Sequence, residues 1–316
     1  LSKYECDRFY PADITFAFQG GEPTVAGIDY FRAFTSYVDA HKQRQTIHYA
    51  LQTNATLLGE EWVALSHQHQ FLIGVSLAGY AALHDHLRKD AAYEGTFKRV
   101  MRSVELLKRA KVDFNILTVL SSYVSAHPQK LFSFYQKHDL KYIQFIPCLA
   151  GLDEQESEFS LHPRQFASFY KVFFDLWYRE YVKGNVISVT LFDNVIPMFA
   201  GYPPQQCGML GHCAPQFVVE SNGDVYPCDF YVLDQYRCGN IRENTLLELA
   251  TCETMKGFLK EPRRSCAACG DCPFEGMCHR NCKRLNSAYY DDRYCGYREL
   301  LEYAGERMQQ IARTLR

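Results

Sequence analysis

Thirteen cysteines stand in this chain of 316 residues, and 11 of them fall between Cys207 and Cys295. Cys269-x2-Cys272-x5-Cys278-x3-Cys282 is a compact run with Cys295 beyond it, and Cys207-x5-Cys213 and Cys228 lie upstream. Short loops let two thiolates converge on one centre, so this pattern suits a tetrahedral metal or a cubane cluster. Eight thiolates make two sites of four. On spacing alone, structural zinc and iron–sulfur stand level. His212 and His279 flank the run but are not needed as ligands while enough cysteines are at hand. An odd count, a first two-thirds almost free of cysteine and no secretory signal argue against a disulfide framework. They point to thiolate ligation in a reducing cytoplasm.

A second constellation lies near the start, at Phe18-Gln19-Gly20-Gly21-Glu22-Pro23. Adjacent glycines let backbone approach a ligand closely, and proline stops strand pairing. Taken alone, the same residues also describe an ordinary turn between a strand and a helix.

These groups need elements to hold them. Strand-like apolar runs occur at Ile14–Phe18, Ile47–Leu51, Phe71–Leu77, Phe114–Leu120 and Tyr142–Leu149. Helical patterns lie between them. Thr96–Ala110 is the clearest, with Phe97, Val100, Met101, Val104, Leu106 and Leu107 on one broad stripe. Alternating strands and helices predict a parallel sheet, with binding groups just beyond the strand C-termini. A long aromatic helix is expected from about His162 to Val182. After Gly201-Tyr202-Pro203-Pro204 the texture changes to cysteine, glycine and short turns, which predicts two domains, residues 1–200 and 201–316. A hairpin is expected at Gln216–Phe230 around Asn222-Gly223, a capping box at Thr245–Glu248, and a terminal helix from Gly296.

Composition narrows the function. Lys+Arg of 34 against Asp+Glu of 36 gives a net charge of -2, which speaks against a generic nucleic-acid or membrane-surface binder. The longest uncharged apolar-rich stretch, Phe71 to Leu83, is too short to span a bilayer.

Together the two constellations resemble the radical S-adenosylmethionine (SAM) enzymes with a C-terminal SPASM cluster domain, and among them the anaerobic sulfatase-maturating enzymes. The resembling residues are Phe16-Ala-Phe-Gln-Gly-Gly-Glu-Pro-Thr24, Leu51-Gln-Thr-Asn54, Phe114-Asn-Ile-Leu117, Phe173-Phe-Asp-Leu-Trp-Tyr178 and the stretch from Gln216 to Asp234, followed by Gly239-Asn-Ile241. The resemblance implies a partial TIM-like (βα)6 barrel followed by a cysteine-rich iron–sulfur domain. It also moves the tail sites from zinc to iron–sulfur. One departure stands out. Such enzymes carry their SAM-cleaving cluster on Cys-x3-Cys-x2-Cys, and here only Cys6 precedes Cys148. The expectation is an N-terminally truncated piece lacking the first βα unit, roughly 30 residues or more, and inactive by itself.

By resemblance, Gly20, Gly21 and Glu22 form the SAM amino-group site, with Gly21 in direct contact. Ser76 and Arg88 hold the ribose and carboxylate end, Leu149 touches the adenine, and Asn54 is a weaker candidate. Ala78 stands where relatives often carry Asp. Cys207, Cys213, Cys228 and Cys282 would ligate a first auxiliary [4Fe-4S] cluster, and Cys269, Cys272, Cys278 and Cys295 a second. A third, SAM-binding cluster belongs only to a full-length parent. Cys238, Cys252 and Cys266 remain spare, with Cys266 spaced to compete with Cys269. Asp229 resembles the catalytic base, and Gln19 lines the substrate cavity. The implied reaction oxidises a Cys or Ser of a sulfatase polypeptide to Cα-formylglycine, with flavodoxin or ferredoxin as electron donor. Another radical SAM peptide maturase is the alternative, and a non-catalytic iron–sulfur or zinc scaffold is the reading from a different class.

Overall fold

The computed structural model describes residues 13–152, 154–264 and 266–315. Cys6 lies outside the described residues. By packing, the chain divides into two compact units. One runs to Leu161 and takes in Ser168–Asp193; the other comprises His162–Ala167 and Asn194–Arg316.

The first unit is built on a six-stranded parallel sheet whose spatial order follows the chain. Its strands are β1 (Asp13–Phe18), β2 (Thr46–Thr53), β3 (Phe71–Ser76), β4 (Phe114–Leu120), β5 (Tyr142–Pro147) and β6 (Ser188–Val189). Helices α1 (Ile28–His41), α2 (Glu60–Gln68), α3 (Ala81–Leu87), α4 (Phe97–Arg109), α5 (Pro128–Lys137) and α6 (Pro163–Val182) alternate with them. In β3 every residue but Leu72 is buried, as a parallel sheet covered on both faces requires. At the sheet edge, β1 alternates exposed and half-buried positions instead. In α4 the expected stripe packs through Val100, Val104 and Leu107. Ser103 interrupts it at little cost, because its hydroxyl donates to the Ala55 carbonyl at 2.7 Å.

Two sheet features depart from the sequence expectation. β5 stops at Pro147, two residues short of Leu149; pairing continues only through the Cys148 amide, which donates to the Leu120 carbonyl. A sixth strand follows, but it has two residues and one of them is serine, which leaves no periodicity to read.

The second unit has little regular structure. Its sheet has three short antiparallel strands, β7 (Val218–Val219), β8 (Asp224–Tyr226) and β9 (Gly239–Asn240). The expected hairpin pairs Val218 with Tyr226, and Gly223 turns it at φ 91°. The Thr245 side chain and Glu248 form the capping box that opens α7 (Leu246–Thr251), which α8 (Glu253–Lys260) follows. The terminal helix α9 (Gly296–Ala312) buries Leu300, Leu301, Ala304 and Met308. Among the described residues, no helix is long and apolar enough to cross a membrane.

Candidate functional site: a glycine turn and two thiol clusters

At the C-terminal edge of the sheet, β1 ends in the Gly20-Gly21-Glu22 turn. Gly20 adopts φ 86°, a left-handed conformation that glycine takes without strain. Gln19, Gly20 and Gly21 are exposed, and a Cβ added at either glycine would meet nothing within 4 Å. Space for a ligand therefore lies directly over the backbone. Glu22 anchors the turn. Its Oε1 accepts from the Thr24 amide at 3.1 Å, the Thr24 hydroxyl at 2.6 Å and the Thr53 hydroxyl at 2.7 Å, and its Oε2 accepts from the Asn54 amide at 2.6 Å. One carboxylate thus ties the end of β1 to the end of β2. The Asn54 side chain caps its own turn, accepting from the Thr56 amide and hydroxyl.

Ser76 closes β3 and is buried. Arg88 follows α3 directly, and burial lowers its pKa. Among the described residues the structure records no carboxylate paired with it. A largely buried, unpaired guanidinium is costly, and a bidentate anion is its natural complement. Leu149 lies half-buried just past β5.

Sequence reasoning passed over the residue that braces this edge. His84 is fully buried. Its Nδ1 accepts from the Ala78 amide at 3.2 Å, so the neutral ring carries its proton on Nε2 and donates to the Thr96 hydroxyl at 2.9 Å. Thr96 in turn donates to the Arg88 carbonyl at 3.2 Å. Burial, then the Arg88 charge, pushes the His84 pKa down to about 4, against a smaller opposing effect of Asp85. A lone histidine in a helical pattern carries no sequence signal for this role.

In the second unit the structure gathers one full set of expected ligands around a single cavity. Cys269, Cys272, Cys278 and Cys295 all line it, together with Asn281, Tyr290 and Arg298. Cys266 is not on its wall, although it is buried and hydrogen-bonded to Cys269. Local structure aims the sulfurs. Cys295 N-caps α9, its Sγ accepting from the Arg298 amide at 3.3 Å. The turn from Cys278 to Cys282 runs through His279, Arg280 and Asn281 at φ 45°, 63° and 51°, all left-handed.

The other set also converges. Burial is the main cause that raises the Cys207 thiol, with the Cys282, Asp229 and Cys213 charges adding to it. Burial pushes Cys228 up to about 12, and Asp229 and Cys282 contribute in the same direction. Cys228 Sγ donates to Asp229 Oδ1 at 3.3 Å. In the second set burial pushes Cys278 to about 11 and Cys295 to about 12. Thiols this reluctant to ionise give up their protons when a metal takes their place. Lys283, its side chain only 5% exposed, supplies positive charge beside Cys213 and pairs with Glu261 at 2.7 Å. Among the described residues, no three or more His, Cys, Asp or Glu stand close enough to hold one metal ion. Sulfurs that share a cavity suit a cluster, in which each thiolate takes a different iron. The thiols of the second set, which line one cavity, therefore fit an iron–sulfur cluster. Burial with the Cys252 charge pushes Cys238 up to about 12.

Comparison with known proteins bears on both regions. A family model for SPASM, the iron-sulfur cluster-binding domain, matches residues 212–273, which include Cys213, Cys228, Cys269 and Cys272. The cysteine-type anaerobic sulfatase-maturating enzyme of Clostridium novyi is 37% identical over 310 residues, covering 95% of this chain and 83% of that enzyme. The chain belongs to the anaerobic sulfatase-maturating enzyme family. Another cysteine-type member, from Clostridium perfringens, is 38% identical over 96% of this chain and 84% of its own length. A serine-type member from Bacteroides thetaiotaomicron is 31% identical over 86% of this chain and 69% of its own length. A solved family structure, native anSMEcpe with bound AdoMet and the Cp18Cys peptide, superposes with a TM-score of 0.90 at 37% identity and covers 96% of this chain and 87% of that one. Streptococcus suis SuiB, with a TM-score of 0.58 at 15% identity, shares the fold alone.

Proposed function

We propose that this protein matures sulfatases by oxidising a Cys or Ser side chain of the sulfatase polypeptide to Cα-formylglycine. The observation that carries the reading is the four-thiol cavity in a chain whose relative was solved with AdoMet and a cysteine peptide. The sheet is the barrel portion of residues 1–200, and residues 201–316 form the cluster domain.

Gly20 and Gly21 present backbone to the amino group of SAM, and Glu22 acts through the turn that it fixes. Ser76 takes the ribose, Arg88 the carboxylate, and Leu149 packs on the adenine. Gln19 faces the peptide. Cys207, Cys213, Cys228 and Cys282 hold one [4Fe-4S] cluster; Cys269, Cys272, Cys278 and Cys295 hold the other. The bound groups supply one-electron cleavage of SAM, hydrogen-atom removal from Cβ of the target residue and acceptance of the second electron. Asp229 accepts the proton released as the thioaldehyde or aldehyde forms. Cys228, once deprotonated to ligate iron, would no longer donate to Asp229 Oδ1, which also accepts from the Phe230 amide at 3.1 Å. A flavodoxin- or ferredoxin-type donor supplies electrons, and thiolate ligation of this kind suits a reducing cytoplasm.

These 316 residues contain no Cys-x3-Cys-x2-Cys. The test therefore joins them to the segment of a clostridial relative that bears this motif. The chimera, iron-loaded and given SAM, reductant and a sulfatase cysteine peptide under anaerobic conditions, should yield formylglycine by mass spectrometry. Residues 1–316 alone should yield no 5′-deoxyadenosine above a no-protein control. Peptide left unmodified by a chimera that cleaves SAM would refute the substrate assignment.

A further inference from the structure

The cavity of the second thiol set contains a buried group to which neither the fold nor the ligand assignment gives a task. Asn281 is 2% exposed, and its Oδ1 has no hydrogen-bond partner among the described residues. Its backbone, by contrast, is pinned twice. The Asn281 amide donates to the Cys278 carbonyl at 2.7 Å, and its carbonyl accepts from Arg263 Nε at 2.9 Å. The residue is thus held on the cavity wall with an idle side chain, in the left-handed conformation that asparagine tolerates better than most residues.

Arg280, Arg298 and Tyr290 on that wall have partners. Arg280 pairs with Glu275 at 2.8 Å, and Arg298 with Glu302 at 2.7 Å. The Tyr290 hydroxyl donates to the Arg264 carbonyl at 2.6 Å and accepts from Asn286 at 2.9 Å. A buried amide without a partner is unfavourable, and a half-turn about its terminal bond exchanges oxygen for NH2 in the same volume. Four thiolates make the loaded site electron-rich, so the NH2 end is the one such a site attracts.

We propose that Asn281 donates an N–H···S hydrogen bond to the cluster held by Cys269, Cys272, Cys278 and Cys295, and thereby raises its reduction potential. Hydrogen bonds to cluster sulfurs stabilise the added electron and are among the levers that set the potential. Asn281 is a tuning residue, not a ligand. The inference rests on the proposed second cluster, and one experiment separates the two.

The full chain is reconstituted with iron and sulfide anaerobically, as wild type, Asn281→Gly and Asn281→Asp. Glycine keeps the left-handed backbone and removes the amide; aspartate keeps its shape and replaces the donor with charge. Iron is counted, and each cluster's potential is read by titration followed by electron paramagnetic resonance. The second cluster's signal is the one lost in Cys272→Ala. The expected result is wild-type iron in both variants, a lower potential for the second cluster in Asn281→Gly, a lower one still in Asn281→Asp, and no shift in the first cluster. An unchanged or higher potential in Asn281→Gly at full iron content would overturn the inference while leaving the cluster assignment standing. Loss of the second cluster from both variants would make Asn281 a structural residue of the turn, and overturns it too. A wild-type chain that takes up no second cluster would remove the reading beneath it.

Discussion

In the first unit, the groups assigned to SAM stand within a few residues of the end of a strand or helix, and the protein's own hydrogen bonds brace the turns around Glu22 and Arg88. Glu22 joins β1 to β2 through four donors, and His84 joins the end of β3 to Thr96 and Arg88. In the second unit the thiols sit on turns, single-turn helices and a helix cap, and burial holds protons on Cys228, Cys278 and Cys295. The first arrangement is complete before any ligand arrives. The second is a set of converging donors whose geometry metal bonds would finish, so that its binding free energy is partly folding free energy. The two halves of the proposed chemistry should therefore respond differently to the same insult.

The largest effect expected is chemical. In the motif-bearing chimera, Asp229→Asn should lower formylglycine formation by roughly 10²–10⁴-fold, the range for a lost general base. Amide and carboxylate are nearly isosteric, so iron content should stay the same. Mass spectrometry of the peptide after timed incubation measures it, and unchanged turnover would take Asp229 out of the mechanism.

Ligand removal tests the contrast directly. Cys207→Ala should lower bound iron from about eight atoms per chain to about four, with one cubane signal left. Hydrogen exchange should quicken in the second unit while β2 to β4 keep wild-type protection. Uptake of stoichiometric zinc with no iron would break the comparison at its root. Equal loss of protection in the sheet would show that the first unit is not self-sufficient.

The two units also differ in how much of them can be read from sequence. The five longer strands are legible because each is a short run dominated by apolar residues. β6, with two residues, carries no such pattern. The cysteine-rich run is legible because its spacing is local in the chain, whereas its division into two sets rests on the family resemblance. Cys266 and Cys269 cannot be told apart by spacing, and the cavity wall, which includes Cys269 and not Cys266, depends on packing. His84 and Asn281 are illegible for the same reason. Each acts through what surrounds it in space, a buried amide and hydroxyl for one and a thiol-lined cavity for the other. The left-handed run at His279-Arg280-Asn281 contains no glycine to announce it.

A smaller effect sharpens the claim that the first unit is built in advance. Arg88 is unpaired among the described residues, and its burial is unfavourable without an anion. Arg88→Met should weaken SAM binding by about 10–100-fold, in line with the ~1.5–3 kcal/mol of hydrogen bonds to a charged partner. It should do so without lowering the melting temperature, because the substitution removes a buried charge that has no carboxylate to balance it. Arg88→Lys should recover only part of the affinity, since an ammonium cannot form the bidentate pair. Equilibrium dialysis of the chimera with labelled SAM gives both values, and a large drop in stability with Arg88→Met would make Arg88 a structural residue.

The smallest effect is a pH dependence confined to the same edge of the sheet. His84 is held neutral, its pKa lowered from the ordinary 6.5 to about 4. The unfolded chain therefore binds one more proton than the folded chain between those two values. Stability from this group is fully present above about pH 6.5 and is lost as pH falls toward 4, at about 1 kcal/mol per pH unit. Protonation would put a proton on Nδ1, where the ring accepts the Ala78 amide, so the loop after β3 should loosen first. Arg88 opposes that proton and Asp85 favours it, which makes the window sensitive to both. His138 is also held below its ordinary value, by burial and by the Lys137 and Lys108 charges, and titrates with the same sign. The measurement is therefore a difference: urea unfolding of wild type and His84→Gln at pH 7.5, 6.5 and 5.5. The variant should be less stable at every pH but fall less steeply by nearly one proton's worth of slope. Parallel slopes would mean that the brace between Ala78 and Thr96 does not depend on a neutral imidazole.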